Sequence, residues 1–211
     1  MEDRRTAGLY LEMVDEPAGA YVDARVPVVL EVPGVQRATW WQNARPGRDD
    51  LPRVLPEFGL LGVYEVEDGF SPPACPAGVA GHHFRRTPRP GQGRLTGGPT
   101  VGLSLVLISP RDPTRAQELR DWADFVHIRH IAEAAVPGYT MITPYEHVDG
   151  GDPRFLHFYE MDTEDPEASF QAMTPLVRER LDGPAFRAWA RHETLRIMYV
   201  NSFRRVGARA A

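Results

Sequence analysis

The clearest pattern of apolar and polar positions lies in the second half of the chain, where strand and helix spacings alternate. The run of apolar and β-branched residues at 101–108 predicts a strand. Between 114 and 136 apolar positions recur every third or fourth residue, which predicts a helix with one buried face. That face consists of Ala116, Leu119, Ala123, Val126 and His130. Thr114 with Gln117 resembles a capping box and predicts the start of this helix, and Pro137-Gly138 predicts its end.

The rest of this half predicts two strands, a second helical region and a last strand. Strands at 139–147 and 155–161 are separated by a short turn, so we expect them to be antiparallel. Asp165 followed by Pro166 is typical of a helix N-terminus. With a final strand at 195–203 the order is β-α-β-β-α-β, which is that of a ferredoxin-like unit.

The first half predicts the same succession with one element missing. Its predicted elements are strands at 9–14, 36–43 and 58–67 and a helix at 18–32. A second long helix is excluded because Ser71-Pro72-Pro73-Ala74-Cys75-Pro76 carries three prolines where that helix would begin. The first unit is therefore expected to be degenerate.

Three short phrases occur twice in the same order. Val32-Pro33-Gly34-Val35 recurs as Val136-Pro137-Gly138-Tyr139, Val63-Tyr64-Glu65-Val66 as Phe158-Tyr159-Glu160-Met161, and Phe84-Arg85-Arg86 as Phe203-Arg204-Arg205. The order is kept while the spacing drifts, which is expected of a duplicated unit whose loops have changed.

The predicted fold is α+β, with two ferredoxin-like β-α-β-β-α-β units packed as an intramolecular pseudo-dimer whose sheets meet as a barrel or face to face. Residues 8–70 form the degenerate unit and 101–206 the complete one. Residues 71–100 are rich in proline and glycine and are predicted to be a linker with one possible short strand at 83–86.

Composition and charge narrow the classes of function. The 211 residues carry a net charge of −5, which leaves no electrostatic footprint for a nucleic-acid partner. No apolar run approaches the ~18 residues needed to cross a bilayer, and the charged N-terminus does not resemble a secretory signal. Cys75 is the single cysteine, so no internal disulfide forms. These features predict a cytoplasmic protein without membrane or nucleic-acid partners.

The duplicated unit of ~100 residues resembles the dimeric α+β barrel superfamily, and within it the EthD-like proteins. The residues that carry the resemblance are Trp122-Ala123-Asp124-Phe125-Val126-His127-Ile128-Arg129-His130 and Val136-Pro137-Gly138-Tyr139. His130 is the better match to the family's helix histidine, and His127 is the next. The corresponding position of the first unit lies near Val26, so a single site is expected in the second unit.

Four side chains are the candidates for proton transfer. His127 and His130 lie three residues apart on the helix and can share a side. His157 and Tyr159 alternate onto one face of the strand at 155–161, together with Phe155 and Met161. The sequence leaves open whether this face or that of Leu156 and Phe158 is buried. Substrate contacts are predicted at Trp122, Phe155, Tyr145 and Met161.

A metal or haem site is a lesser alternative, and no cofactor is the main expectation. His127 and His130 have a spacing that suits metal binding on a helix, but a third ligand would be needed. The possible third ligands are Asp124, Glu133, His147 and His157. The resemblance also implies that a histidine could hold haem, although nothing in the chain marks an axial ligand.

The resemblance implies a small cofactor-independent enzyme that acts on aromatic, polyketide-like or other carbonyl-bearing hydrophobic molecules. The implied reactions are cyclisation, dehydration, decarboxylation, isomerisation and quinone-forming oxygenation. In this reading His130 is the base, and His127, His157 or Tyr159 orients a carbonyl or stabilises an enolate. The alternative is an accessory protein that binds a hydrophobic ligand without catalysis. A homodimer is possible if the degenerate unit leaves a sheet edge to cover.

Overall fold

The computed structural model describes residues 6–15 and 18–211, which contain nine strands and four helical regions. The strands are β1 (Gly8–Val14), β2 (Val35–Asn43), β3 (Leu60–Val66), β4 (Val79–Arg86), β5 (Gln92–Gly93), β6 (Gly102–Pro110), β7 (Tyr139–His147), β8 (Phe155–Met161) and β9 (Leu195–Ala210). The helices are α1 (Ala18–Leu30), α2 (Ala116–Trp122 and Ile128–Glu133, joined by a π-helical turn at Ala123–His127), α3 (Pro166–Arg180) and α4 (Gly183–Ala190).

Eight of these strands form a closed antiparallel barrel. Their order is β4-β1-β3-β2-β9-β6-β8-β7, and β4 pairs with β7 to close the ring, while β5 pairs with β7 at Met141 and Ile142. The predicted mixed α+β class is therefore confirmed, and the sheets meet as a barrel. The sheet edge that motivated the expectation of a homodimer is paired within the chain, and the homodimer itself stays a prediction.

The strands alternate between a core inside the barrel and cores under the helices. In β1, Leu9 and Leu11 belong to the apolar cluster inside the barrel, whereas Tyr10 and Val14 pack in the cluster beneath α1. In β8, Leu156 and Phe158 face the barrel interior, and Tyr159 and Met161 pack under the second-half helices. Period-two alternation alone does not tell which face of a strand is buried. In β8 both faces are buried.

The order of strands in the first half repeats in the second. β4-β1-β3-β2 is followed by β9-β6-β8-β7. The recurring sequence phrases fall on matching elements: the Val-Pro-Gly phrases precede β2 and β7, the Tyr-Glu phrases lie on β3 and β8, and the Phe-Arg-Arg phrases lie on β4 and β9. Residues 67–78, between β3 and β4, form no helix, whereas α3 and α4 stand between β8 and β9.

Three of the sequence-based boundaries that differ from the structure have a clear physical cause. A 3-10 turn at Pro113–Arg115 leads into α2, and it is capped by Asp112, whose carboxylate accepts a bond from the Thr114 backbone N–H at 2.9 Å, and not by the Thr114 hydroxyl. β9 continues to Ala210 because its second part pairs with β2 across the junction of the two halves. Within 71–100, the strand predicted at 83–86 extends over the whole of β4 because it pairs with β1 along its length. The division into domains stays a prediction.

The predicted buried face of α2 is correct up to Ala123 and wrong beyond it. The π-helical turn, in which the Ile128 N–H bonds to the Ala123 carbonyl, inserts one extra residue into the helix. Every later position is therefore rotated by one residue. Ile128 and Ile131 are buried there, not Val126 and His130.

Among the helices of the described ranges, none combines the length and apolar character that crossing a membrane would require.

Candidate active site

A cavity of about 460 Å³ lies between the outer face of the second-half strands and helices α2, α3 and α4. Its floor comes from β6, β8 and β9 and its roof from the three helices, so the second half supplies most of the wall. The loop between β2 and β3 adds two residues from the first half. The apolar part of the wall consists chiefly of Val106, Ile108, Trp122, Ala123, Phe170, Met173, Pro175, Trp189, Leu195, Ile197 and Val200.

A buried histidine and carboxylate meet at the floor of this cavity. The Nε2 atom of His157 on β8 lies 2.9 Å from Oδ1 of Asp124 in the π-helical turn. Their side chains are only 3% and 2% exposed, so the pair is shielded from bulk water. No described residue bonds to Nδ1 of His157, which leaves this atom available to a bound molecule.

Two arginines stand behind Asp124. Nε of Arg89 lies 3.5 Å and Nε of Arg120 4.0 Å from its Oδ2 atom. Arg120 also pairs with Glu146 on β7 at 3.2 Å. The two guanidinium groups place positive charge behind the Asp124 carboxylate and attract it electrostatically in this buried position. Asp124 therefore stands between the arginines on one side and His157 on the other.

His127 lies in the wall between two indole rings. Its ring stacks on Trp189 at 5.0 Å between centroids and an angle of 9°, and Trp122 lies 5.0 Å away on a tilt of 37°. Nδ1 of His127 lies 3.0 Å from the Trp189 carbonyl, and the Trp189 indole N–H donates to the His127 carbonyl at 3.0 Å. Burial lowers the pKa of His127 to about 4. At neutral pH it is an uncharged imidazole whose orientation is fixed.

Two phenols complete the polar part of the cavity. The Tyr159 and Tyr139 rings meet edge to face at 5.8 Å. Burial raises the pKa of both hydroxyls above the usual value, so both stay protonated and can donate hydrogen bonds. The Tyr139 hydroxyl is buried and has no hydrogen-bond partner within the described ranges. An unpartnered donor at a cavity wall is a natural contact for a ligand oxygen.

The structure brings together only part of the predicted site. His127, His157, Tyr159 and Trp122 line the cavity. His130, the leading sequence candidate, is absent from its wall. Because the π-helical turn shifts the later positions of α2, His130 lies at the surface with Nδ1 3.2 Å from the Glu133 carboxylate.

The other predicted substrate contacts also lie elsewhere. Tyr145 is packed inside the barrel because it shares a face with Leu156. Phe155 and Met161 do lie under the helices, but they pack in the surrounding cores and do not form the cavity wall.

Several residues of the site have no catalytic role in the sequence-based prediction. Asp124 is predicted only as a possible metal ligand, and Tyr139 and Trp189 are assigned no role at the site. Asp124 stands three residues before His127 on the same helix, which is a signal that it could share that histidine's face. Nothing in the sequence pairs Asp124 with His157, because the contact joins a helix to a strand 33 residues away.

The matching space in the first half is filled. The repeated phrases align Tyr64 with Tyr159 and hence Gly62 with His157. At Gly62 there is no side chain, and the Tyr21 hydroxyl occupies the space that a Cβ atom would need. Tyr21 bonds to the buried Glu12 at 2.8 Å and to Tyr64 at 2.7 Å, and Arg25 pairs with Glu12. A polar cluster therefore replaces a cavity under α1.

The cavity does not fit a metal or haem. Within residues 6–15 and 18–211, no three His, Cys, Asp or Glu side chains come together as metal ligands. The predicted ligands are dispersed: Glu133 pairs with His130 at the surface, and His147 contacts Phe84 at the β4–β7 junction. Haem carries two carboxylates, yet no lysine or arginine of the described chain lines the cavity and Asp50 does.

Comparison with known proteins places the fold. No protein-family sequence model and no curated protein sequence matches the chain. An anthrone oxidase-like protein of known structure is similar over 99% of this chain and 94% of its own, with a TM-score of 0.55 and 13% identity. A proposed monooxygenase from Lactobacillus acidophilus is similar over 98% and 97%, with a TM-score of 0.55 and 8% identity.

The same architecture occurs in a chlorite dismutase. A mutant of the enzyme from Candidatus Nitrospira defluvii, in complex with cyanide, is similar over 98% of this chain and 96% of its own, with a TM-score of 0.51 and 12% identity. These neighbours are dimeric α+β barrel proteins, and the chain has that fold. At such identities the likeness shows the fold alone, and the EthD-like resemblance stays a prediction.

Proposed function

We propose that the protein is an enzyme that removes a proton from a neutral, hydrophobic phenol or ketone bound in the second-half cavity, with His157 as the general base. The observation that carries this proposal is the buried His157–Asp124 pair in the floor of an apolar cavity. A base in such a place acts on a substrate from which water has been displaced, where proton transfer and charge stabilisation are most effective.

The hydrogen bond to Asp124 sets the tautomer of His157. A carboxylate only accepts hydrogen bonds, so the proton of a neutral His157 belongs on Nε2 and Nδ1 carries the lone pair. Nδ1 can then accept a proton from the substrate, and the imidazolium formed is stabilised by the adjacent anion. Asp124 is thus a positioning residue for the base.

The remaining polar groups suit the charge that develops on the substrate oxygen. Tyr159 and Tyr139 are protonated phenols that can donate to a phenolate or enolate oxygen. His127 is uncharged and fixed between the indoles, with its proton on Nδ1 facing the Trp189 carbonyl. Its Nε2 atom can therefore accept a hydrogen bond from a substrate hydroxyl, but it cannot donate one to an oxyanion. The wall contains no arginine or lysine in the described chain, which favours an uncharged substrate over an anionic one.

Oxygenation is the outcome that the structural neighbours favour. An anthrone oxidase-like protein and proposed monooxygenases share this fold. A carbanion formed at an activated CH₂ group can reduce dioxygen, so that CH₂ and O₂ give C=O and H₂O without a further reductant. Reprotonation of the same carbanion at another carbon would give an isomerisation. Both outcomes begin with the step assigned to His157.

We also propose that the two halves are ferredoxin-like units of one duplicated, EthD-like ancestor, arranged as a pseudo-dimer. The repeated strand order and the matching places of the three phrases support this. In this proposal the second unit kept the cavity, and the first lost both its second helix and its cavity.

The test is oxygen uptake with anthrone as substrate. We expect His157→Gln to lower kcat roughly 100-fold or more, which is the usual contribution of a general base. His130→Gln is the matched control, because it makes the same substitution at a histidine outside the cavity. The kcat of this variant should be within twofold of wild type. Equal losses in both variants, or none in His157→Gln, would overturn the assignment.

A second measurement separates an enzyme from a ligand-binding protein. In deuterated buffer without oxygen, the proposed base should exchange the acidic C–H hydrogens of anthrone faster than buffer does, as followed by NMR. If anthrone quenches the fluorescence of Trp122 and Trp189 but neither exchange nor oxygen uptake occurs, the cavity binds the molecule without acting on it.

A further inference from the structure

The loop between β2 and β3 leaves the first half and crosses onto the second. The Ala44 N–H bonds to the Ser202 carbonyl at 2.8 Å, and the Val54 N–H bonds to the Met198 carbonyl at 2.9 Å, so both ends of the loop are tied to β9. Between these ties the chain reaches the N-terminal turn of α3. Asp50 and Leu51, in the middle of the loop, form part of the cavity wall.

Arg48 holds the middle of this loop against the second half. Its side chain is 2% exposed although it belongs to a connecting loop. It pairs with Glu167 in the first turn of α3, donates to Oδ1 of Asn201 on β9 at 3.2 Å, and lies 4.4 Å over the Phe170 ring. Burying a guanidinium group is costly unless it is fully paired, so this set of contacts defines one position of the loop.

We propose that this loop is the specificity element of the second-half cavity, with Leu51 meeting the substrate and Arg48 as the positioning residue that holds it there. The inference rests on the proposed function and adds the first half's part in it. Among the described residues of the first half, Tyr21 and Glu12 fill the space that matches this cavity. The contribution of this half to chemistry is the wall segment that it lends to the other half.

The contacts of Arg48 indicate how its loss would affect ligand binding. Phe170, which contacts Arg48, is itself a cavity residue, so Arg48 packs against the outer side of the cavity wall. Leu51 lies in the wall itself, where a bound ligand would contact it. Loss of Arg48 would loosen the middle of the loop, because the remaining contacts of Arg45 with Asn201 and Glu167 lie close to the first tie, and it would leave the catalytic pair on β8 and α2 untouched. The effect should therefore fall on binding and release and not on the proton-transfer step.

The probe is Nile red, a neutral planar dye whose emission rises in apolar surroundings. In stopped-flow displacement we expect Arg48→Met to raise the dissociation rate of the dye about tenfold, because the loosened loop no longer holds Leu51 against the dye. Arg48→Lys should fall between, since it keeps the charge but not the planar fork. Arg53→Met is the matched control, because Arg53 lies on the same loop and pairs only with Glu57 among the described residues.

With anthrone, Arg48→Met should raise KM and leave kcat within twofold. If Arg48→Met does not fold, Leu51→Ala takes its place: it leaves the Arg48 contacts intact and should raise the dissociation rate of the dye. An unchanged dissociation rate in each folded variant, or an equal change in Arg53→Met, would overturn the specificity role. Dye binding needs no turnover. If the His157 assignment is wrong, His157→Gln will not lower kcat, but the loop variants will still change the dissociation rate of the dye.

Discussion

Asp124 and His157 are joined at 2.9 Å across the gap between a helix and a strand, and both side chains are almost fully buried. The contact exists because α2 makes a π-helical turn at this point. The turn adds one residue, with Asp124 in contact with β8 and His127 in the cavity wall. π-Helical turns are rare and are frequently found at functional sites.

Asp124→Asn tests the importance of this contact. Asparagine keeps the shape but removes the negative charge that stabilises the imidazolium formed on His157. We expect kcat with anthrone to fall roughly 100-fold and KM to stay within twofold, because the side chain does not form the substrate wall. Glu133→Gln, which removes a carboxylate at the exposed side of the same helix that pairs with Arg129 and His130 outside the cavity, should leave both parameters near wild type. A similar loss in both variants would point to disruption of α2 and against the positioning role.

The sequence predicts the fold better than the site because fold signals are periodic and local. Apolar alternation locates the strands, and the repeated phrases match equivalent elements of the two halves. The same periodicity fails inside α2. A π-helical turn has no clear sequence signal. A 3.6-residue period continued past Ala123 therefore predicts that His130 is buried, whereas Ile128 and Ile131 are the buried residues there.

The cavity depends on three-dimensional contacts that the sequence does not display. Gly62 and His157 occupy matching positions, yet one admits a tyrosine from α1 and the other stands beside open space. Which half keeps a cavity follows from the size of these side chains and of those on the facing helix. The missing helix before β4 could be predicted, since proline lacks the backbone donor that a helix interior needs. The filling of the first-half space by Tyr21 could not be predicted from the sequence.

His127 predicts an acid limit to stability. Burial lowers its pKa to about 4 from a usual value near ~6.5, so between these values the unfolded chain binds a proton that the folded protein does not. Stability therefore falls as the pH drops through this window and levels off below it, with a contribution of at most roughly 3 kcal/mol. Urea unfolding between pH 7 and 4 should show a shallower decline for His127→Gln than for wild type.

His82 offers an independent comparison in the same window. Burial also lowers its pKa to about 4, and it lies beside His147, whose ring centroid is 6.0 Å away. His82→Gln should therefore reduce the same decline by a separate amount, and the double variant should show both reductions because the sites are in different halves of the fold. A decline that is identical in wild type and both variants would show that neither histidine is kept uncharged by folding.

Gly62→Ala tests the filled space of the first half. A Cβ atom at this position would lie 2.1 Å from the Tyr21 hydroxyl and 3.0 Å from Cζ of the same ring. Tyr21 cannot move freely because it bonds to Glu12 and Tyr64, so we expect a loss of about 1–3 kcal/mol in the free energy of unfolding. Gly19→Ala is the control: it lies on α1 with no atom within 4 Å of the new methyl group, and it should be neutral or stabilising by up to ~1 kcal/mol. Equal stabilities of the two variants would contradict the tight packing of Tyr21.

The two junctions that close the barrel are unequal, which predicts where it opens. At one junction β2 pairs with β9 along residues 37–43 and 203–210, whereas at the other β4 pairs with β7 only at 84–86 and 145–147. Local opening is favoured where fewer backbone hydrogen bonds must break at once. In hydrogen exchange at pH 7, amides of 145–148 that bond across to β4 should exchange faster than those of 38–43 that bond to β9. Amides of β7 that bond to β8 are the internal control, since opening at β4 leaves that pairing intact. Slower exchange at the β4–β7 junction than at the β2–β9 junction would show that the shorter ladder is reinforced by its side chains, and that the barrel opens elsewhere.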